Sequence, residues 1–278
     1  MKRSRFKLAT HAAYVSAFLT LIAASRVWAD PPTTWGRPFD ASLDGNKIDW
    51  LFKFTTIAIG ILFVIMAAIL IWATVMQRDT GGRKAQYEHG IGRKHLLLTA
   101  LVSSIIFFGV DGTLLYSSFV DLTETFWKWP TAKDHPVEVE VYAQQWVWNF
   151  RLAGPDGKFN TPDDVVTIND LHLPVNTPVF VKIKSKDVIH SFYLPNMRIK
   201  QDAFPGSITQ LWFEPTKPGQ YVVGCAQHCG VSHYKMHGTM TVESQQEYER
   251  WLHDESTAAK RRFDQADSDA HWGWDWEI

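Results

Sequence analysis

Two long apolar runs constrain this chain more than any other feature. Phe54 to Met76 holds 23 residues without a charge, and Leu96 to Val120 is a second run interrupted only by Asp111. Each is long enough for one crossing of a bilayer at ~1.5 Å rise per residue. Lipid offers backbone groups no partner, so such runs must fold as helices. Between them, Gln77–His95 carries five Lys/Arg against two acids. That basic excess predicts a cytoplasmic loop, with both flanking regions on the outer side. Trp50 precedes the first run and Trp127 and Trp129 follow the second. All three suit the outer headgroup level. Asp111 lies mid-span, where an ionisable group is costly against lipid, and predicts contact with another membrane subunit.

The remaining segments follow from this frame. Residues 1–29 read as a signal peptide, with Lys2, Arg3, Arg5 and Lys7, an apolar stretch from Ala12 to Ala24, and Val27-Trp28-Ala29 at its end. The expected order is then an outer N-terminal segment over 30–50, spans at 51–76 and 96–120 around the loop 77–95, a β domain over 121–243, and a helix with an acidic, Trp-rich tail over 244–278. A formal net charge of −1 conceals a partition, because residues 96–278 hold 15 bases against 23 acids. The outward part is acidic, which argues against nucleic acid as a partner and favours a basic one.

From Pro136 the pattern changes to period two. Val137, Val139 and Val141 alternate with Glu138, Glu140 and Tyr142. Similar texture recurs at Val179–Ile183, Ile189–Leu194, Ile208–Phe213, Tyr221–Val223 and Gly238–Val242, divided by Pro and Gly clusters. This predicts a Greek-key β-sandwich or barrel with no room for crossover helices. Ser244–Arg262 reads as a helix with Tyr248, Trp251 and Leu252 on one side. The acidic stretch Asp156 to Asp164 offers oxygen ligands, but it lacks the spacing of a helix–loop–helix calcium site and reads as a polar hairpin.

The chemistry concentrates in Cys225-Ala-Gln-His-Cys229-Gly-Val-Ser-His233-Tyr-Lys-Met236, which holds both cysteines of the chain. His190 stands upstream in Val188-Ile-His-Ser-Phe. One reading is a Cys225–Cys229 disulfide, which an exported compartment permits. So short a loop would add little stability, and His233 and Met236 would have no use. Zinc would accept two thiolates and two imidazoles and leave Met236 idle. Thiolate, imidazole and thioether together select copper. A mononuclear copper site needs one cysteine. Two thiolates, two histidines and one methionine suit two coppers that share bridging sulfurs.

This ordered set resembles subunit II of bacterial haem–copper cytochrome c oxidases, whose pattern is C-x-[E/Q]-x-C-x3-H-x2-M with an upstream V-[LI]-H-S-[FW]. Gln145-Trp146-Val147-Trp148 matches the family's Q-W-x-W run, and Lys200 to Gly206 resembles its K-x-D-A-x-P-G stretch. The resemblance implies a membrane-anchored all-β chain, a two-helix transmembrane hairpin followed by a cupredoxin-like sandwich. It implies that Cys225 and Cys229 bridge a dinuclear copper centre (two copper ions), with His190 and His233 as terminal imidazoles. Met236 is then a weak ligand to one copper, and Gln227 gives its backbone carbonyl to the other. Trp146 matches the exposed aromatic where electrons arrive from a soluble or membrane-bound cytochrome c. Trp148 reads as strand packing, and Asp202 as either a residue near the catalytic subunit or a turn acid.

Further expectations follow from the same resemblance. The chain would be the electron-accepting subunit of a respiratory terminal oxidase in a bacterial inner membrane, with its copper domain on the periplasmic side. Its partners would be the catalytic subunit I, which holds haem and a further copper, together with subunit III and membrane lipid. The other reading kept open is a membrane-tethered copper protein or chaperone that acts without an oxidase. Three departures qualify the match. Gln227 replaces a glutamate that helps to hold magnesium between subunits. No glutamate stands at the start of the second span, where Gly92-Arg93-Lys94-His95 occurs, which counts against proton uptake there. Lys186 stands among residues that are usually acidic.

Overall fold

The computed structural model describes residues 38–78, 87, 89–263 and 266. The expected signal peptide, residues 79–86 and 88 of the basic loop and the Trp-rich end of the tail lie outside the described residues. Helix α1 spans Gly45–Met76, and a second continuous helix, α2, spans Arg93–Phe126. Both are long and apolar enough to cross a membrane, and neither buries that apolar window against protein. α1 starts earlier than hydropathy alone indicates. Its N-terminal turns, Gly45 to Lys53, include Lys47, Asp49 and Lys53, and Asp49 contacts the β domain. α2 is α-helical except for two π-helical stretches, Ile105–Asp111 and Leu122–Phe126. Asp111 closes the first of these, exposed on the helix surface.

Ten strands follow. They are β1 Val137–Gln144, β2 Val147–Leu152, β3 Val165–Ile168, β4 Asp170–Pro174, β5 Val179–Ser185, β6 His190–Leu194, β7 Ile199–Ala203, β8 Thr209–Phe213, β9 Gly219–Cys225 and β10 His237–Glu243. One sheet runs β3-β2-β1-β5-β8 and the other β4-β10-β9-β6-β7. Neighbours are antiparallel except β1 with β5 and β4 with β10. Those two parallel pairs arise because the chain crosses between sheets, without any crossover helix. This is the β-sandwich that the two-residue periodicity predicts, of the cupredoxin-like kind that the family resemblance implies. Val139, Val141, Phe150 and Ile183 of one sheet and Phe192, Leu194, Val223 and Met240 of the other are fully or almost fully buried. Each such side chain contributes about 1.5–3 kcal/mol.

Alternation fails at one place in β1. Glu140 is buried rather than outward, 1 % exposed, as is Arg151 of β2. Arg151 Nε donates to Asp164 Oδ2 at 2.7 Å, Nη2 to Asn160 Oδ1 at 2.7 Å, and Nη1 reaches Glu140 Oε2 at 3.4 Å. The acidic stretch is thus a polar hairpin between β2 and β3 whose carboxylates close over an internal guanidinium. Helix α3, Gln245–Arg262, starts at a capping box between Ser244 and Glu247 and reaches this hairpin through Lys260 and Asp163, 3.5 Å apart. His172 stacks on Trp251 of α3 with ring centroids 4.2 Å apart.

The helical hairpin is tied to the sandwich at its outer end. Asp49 of α1 takes both Arg198 Nε at 2.8 Å and Arg198 Nη2 at 3.1 Å. Lys47 Nζ donates to Thr125 Oγ1 at 2.6 Å, and Trp212 Nε1 to the Phe126 carbonyl at 3.2 Å. The Leu43 N–H also bonds the Glu214 carbonyl at 3.0 Å. Trp50, Trp127 and Trp129 are exposed at this level.

Candidate metal centre

Two adjacent strands and one loop bring the sequence-derived ligands together. His190 begins β6 and Cys225 ends β9, and the β6–β9 register sets Phe192 opposite Cys225. Cys229, His233 and Met236 come from the β9–β10 loop, which is pinned by a short 3-10 turn at His233–Lys235. The imidazole of His190 and the two thiols lie within 4.8 Å of one another. Both thiols are free, with sulfurs 3.8 Å apart. Cys229 Sγ is 3.5 Å from His233 Nδ1 and 3.7 Å from Met236 Sδ, and Met236 Sδ is 3.2 Å from His190 Nδ1. The Cys225 thiol donates to the Gln227 carbonyl at 3.2 Å. All six residues singled out in the sequence therefore converge at one end of the sandwich.

The polarity of this cluster is unusual. Burial disfavours ionisation of Cys225, yet its bond to His190 and nearby backbone groups outweigh burial and bring the pKa down to about 6. Burial and the neighbouring Cys225 push Cys229 up to about 12. Burial likewise opposes charge on His190, but Cys225 and Asp187 outweigh it and hold its pKa above the ordinary value. The two neighbouring thiols thus resist carrying charge together. A second thiolate requires a metal cation to hold it. Sulfur, imidazole and thioether donors, mostly buried, fit copper.

A supporting layer extends beyond the ligands. His190 Nε2 meets Asp187 Oδ1 at 2.8 Å, which leaves Nδ1 facing the sulfurs. Asp187 also accepts the backbone N–H of Gln145 at 2.7 Å and of Val188 at 2.6 Å. Burial would raise the Asp187 pKa, but these bonds outweigh it and keep the carboxyl below its usual range. Gln145 Nε2 donates to the Cys229 carbonyl at 2.7 Å. Trp146 rests on Gly230, whose φ of +123° favours glycine. A Cβ there would come within 2.8 Å of Gln145 Nε2 and 3.2 Å of the Trp146 ring. The peptide bond between Gln145 and Trp146 is cis. Trp146 is half-buried over the metal loop, whereas Trp148 is fully buried against His190 and Phe192.

Gln145, Asp187 and Gly230 did not stand out as functional residues in the sequence. A carboxylate three positions before a strand-borne histidine was the available sign for Asp187. Gly230 carried none, and Gln145 only its place in the Q-W-x-W run, because their roles depend on long-range contacts. Asp202 lies on β7 beside Ser191, half-buried, and its carbonyl accepts from Thr209 Oγ1 at 2.6 Å.

Comparison with known proteins bears on this arrangement. Residues 137–244 match the family model described as cytochrome c oxidase subunit II, periplasmic domain. The chain is 30% identical over 277 residues to the alternative cytochrome c oxidase subunit 2 of Bradyrhizobium diazoefficiens, covering 88% of this chain and 93% of that one. It is 27% identical over 259 residues to cytochrome c oxidase subunit 2 of Synechocystis sp., covering 77% and 74% respectively. A crystal structure of the periplasmic domain of subunit II of the cytochrome oxidase of Bradyrhizobium japonicum aligns with a TM-score of 0.39 at 26% identity, over 46% of this chain and 96% of that one. With a copper-type donor set at the end of a cupredoxin-like sandwich, two membrane-capable helices and a relative matched over nearly its whole length, this chain belongs to the cytochrome c oxidase subunit II family.

Proposed function

We propose that this chain receives electrons from a c-type cytochrome at a dinuclear copper centre and delivers them to haem in the catalytic subunit of a membrane oxidase. The observation that carries the reading is the convergence of two free thiols, two imidazoles and a thioether beneath Trp146. When bound, the copper pair supplies a one-electron carrier between donor and haem. The protein residues do the rest. Cys225, Cys229, His190 and His233 would hold the two ions through thiolate and imidazole donors, with Met236 and the Gln227 carbonyl as the weaker donors. Asp187 fixes the orientation of His190. The buried walls formed by Phe192, Val223 and Trp148 keep water from the ligands, which limits the solvent rearrangement that accompanies a change of charge.

Trp146 covers the loop from the outer side and is the contact point for the donor. The helices α1 and α2 anchor the domain and offer their exposed apolar faces to subunits I and III and to lipid. The cytochrome c would approach from the periplasmic side of a bacterial inner membrane. Gln227 contributes a neutral amide where a carboxylate would help to hold magnesium, so its side chain does not fit such a site. Oxygen uptake by the purified membrane complex, with reduced cytochrome c as donor, tests the proposal. Turnover with a quinol alone would overturn it, and so would a copper-loaded chain that purifies without oxidase subunits. Trp146→Ala is expected to keep the copper spectrum and lose most turnover. Full turnover would remove the role given to that residue.

A further inference from the structure

A metal centre has to be filled before it can work, and the burial of the donor set leaves one way in. His190, Cys229 and Met236 are 0%, 3% and 2% exposed. On one side the Trp146 ring rests against Gly230, and the Gln145 amide covers the Cys229 carbonyl. Cys225 and His233 are only half-buried. The stretch from Ala226 to His228 that follows Cys225 is exposed throughout. An incoming ion therefore meets the donors along this stretch and at His233.

A third imidazole stands at that opening. His228 is exposed, and its ring centre lies 5.6 Å from that of His233, with 71° between the ring planes. His233 turns Nδ1 to Cys229 Sγ, 3.5 Å away, so its Nε2 faces away from the sulfurs. His228 makes no hydrogen bond among the described residues. An imidazole nitrogen holds a first-row metal ion at about 2 Å. A rotation of the exposed His228 side chain therefore lets both rings reach one ion. His237 is the contrasting case. It is exposed as well, but its Nδ1 is tied to the Lys235 carbonyl at 2.8 Å. The donor set already described is complete without His228. An exposed ring with freedom to turn, placed beside a half-buried ligand, has what a transient ligand needs.

We infer that His228 is an entry ligand, which takes a copper(I) ion at the surface, shares it with His233 and hands it to the thiols of Cys225 and Cys229. The inference rests on the copper reading proposed above. Imidazole and thiolate both suit copper, so the hand-over is a ligand exchange. One copper–nitrogen bond breaks at His228, one copper–sulfur bond forms at a cysteine, and the thiol proton passes to water. The ion remains copper(I) throughout. Capture at an adjacent donor makes arrival at the thiols an intramolecular step, at a high effective concentration.

The test uses the full-length chain, purified in detergent and stripped of copper under reducing conditions. It is mixed with the coloured copper(I)–bicinchoninate complex, and the loss of colour is followed in time. His228→Phe keeps the size of the side chain and should slow that loss about tenfold or more. At the end point, metal analysis and the electron paramagnetic resonance spectrum of the oxidised centre should match the wild type. His228→Met restores a soft donor and should recover most of the rate. His237→Phe should load at the wild-type rate. An unchanged rate in His228→Phe would overturn the inference. So would an end-point copper content that falls along with the rate, because His228 would then be a ligand of the finished centre. A wild-type chain that takes up no copper would refute the copper centre itself and the entry role with it.

Discussion

The two ends of the β-sandwich each gather polar and ionisable groups out of water, and they resolve the resulting cost differently. At the β2–β3 hairpin, Arg151 is satisfied from within the chain by Asp164, Asn160 and Glu140. At the opposite, copper end, two thiols, two imidazoles and a thioether converge on one another. The first cluster pairs a cation with carboxylates and is complete within the fold. The second gathers soft, mostly uncharged donors, which is the chemistry of a metal site. The oxygen donors Asp164 and Asn160 of the acidic hairpin are engaged by the guanidinium of Arg151.

If this contrast is correct, damage at each end should have a different signature. Cys229→Ser has the largest expected effect. Copper and oxygen uptake should both be lost, with two-copper hyperfine structure disappearing from the electron paramagnetic resonance spectrum, while circular dichroism shows the sandwich intact. Retention of a native copper spectrum would break the comparison. Arg151→Ala should do the reverse. It strands two carboxylates and is expected to destabilise the chain by about 3–5 kcal/mol. Copper per folded molecule should stay the same, measured by metal analysis alongside thermal unfolding.

Asp187→Asn comes next. Loss of the carboxylate behind His190 should weaken copper affinity by about 10–100-fold, read by competition with a chelator, with little change in melting temperature. The smallest effect belongs to Glu140. Burial raises its pKa to about 7 from the 4.5 of the unfolded chain, against the opposing pull of Arg151. The folded state therefore holds a proton that the unfolded state has released between those values. The resulting stability is complete below pH 4.5 and is lost as pH rises through 7. This group contributes a slope of up to about 1.4 kcal/mol per pH unit in that window. Glu140→Gln should flatten the slope, and an unchanged pH dependence of unfolding would sharpen the case for Asp164 as the titrating group instead.

Much of this was legible in the chain itself. The charge-free run from Phe54 to Met76 and the Val137–Val141 alternation predict a membrane hairpin and a β domain. The spacing from Cys225 to Met236 predicts the donor set. Such features are local, since periodicity and short-range ligand spacing survive without tertiary contacts. What stayed hidden was non-local. Glu140 sits at an outward position of an alternating strand, and only the hairpin folding back over it turns that position into interior. Strands β3, β4 and β7 are short and lean on neighbours far away in sequence. The π-helical stretches of α2 leave no compositional trace. The bond from Gln145 to the Cys229 carbonyl spans 84 residues.

The ties between the helical hairpin and the sandwich have a geometric consequence. Asp49 with Arg198 and Trp212 with the Phe126 carbonyl clamp the β domain to the tops of both helices, and Lys47 with Thr125 ties the helices to each other. Turning the domain on its helices would break these contacts together. The bonds that hold the fold at the membrane surface therefore also hold the donor set at a fixed height above it.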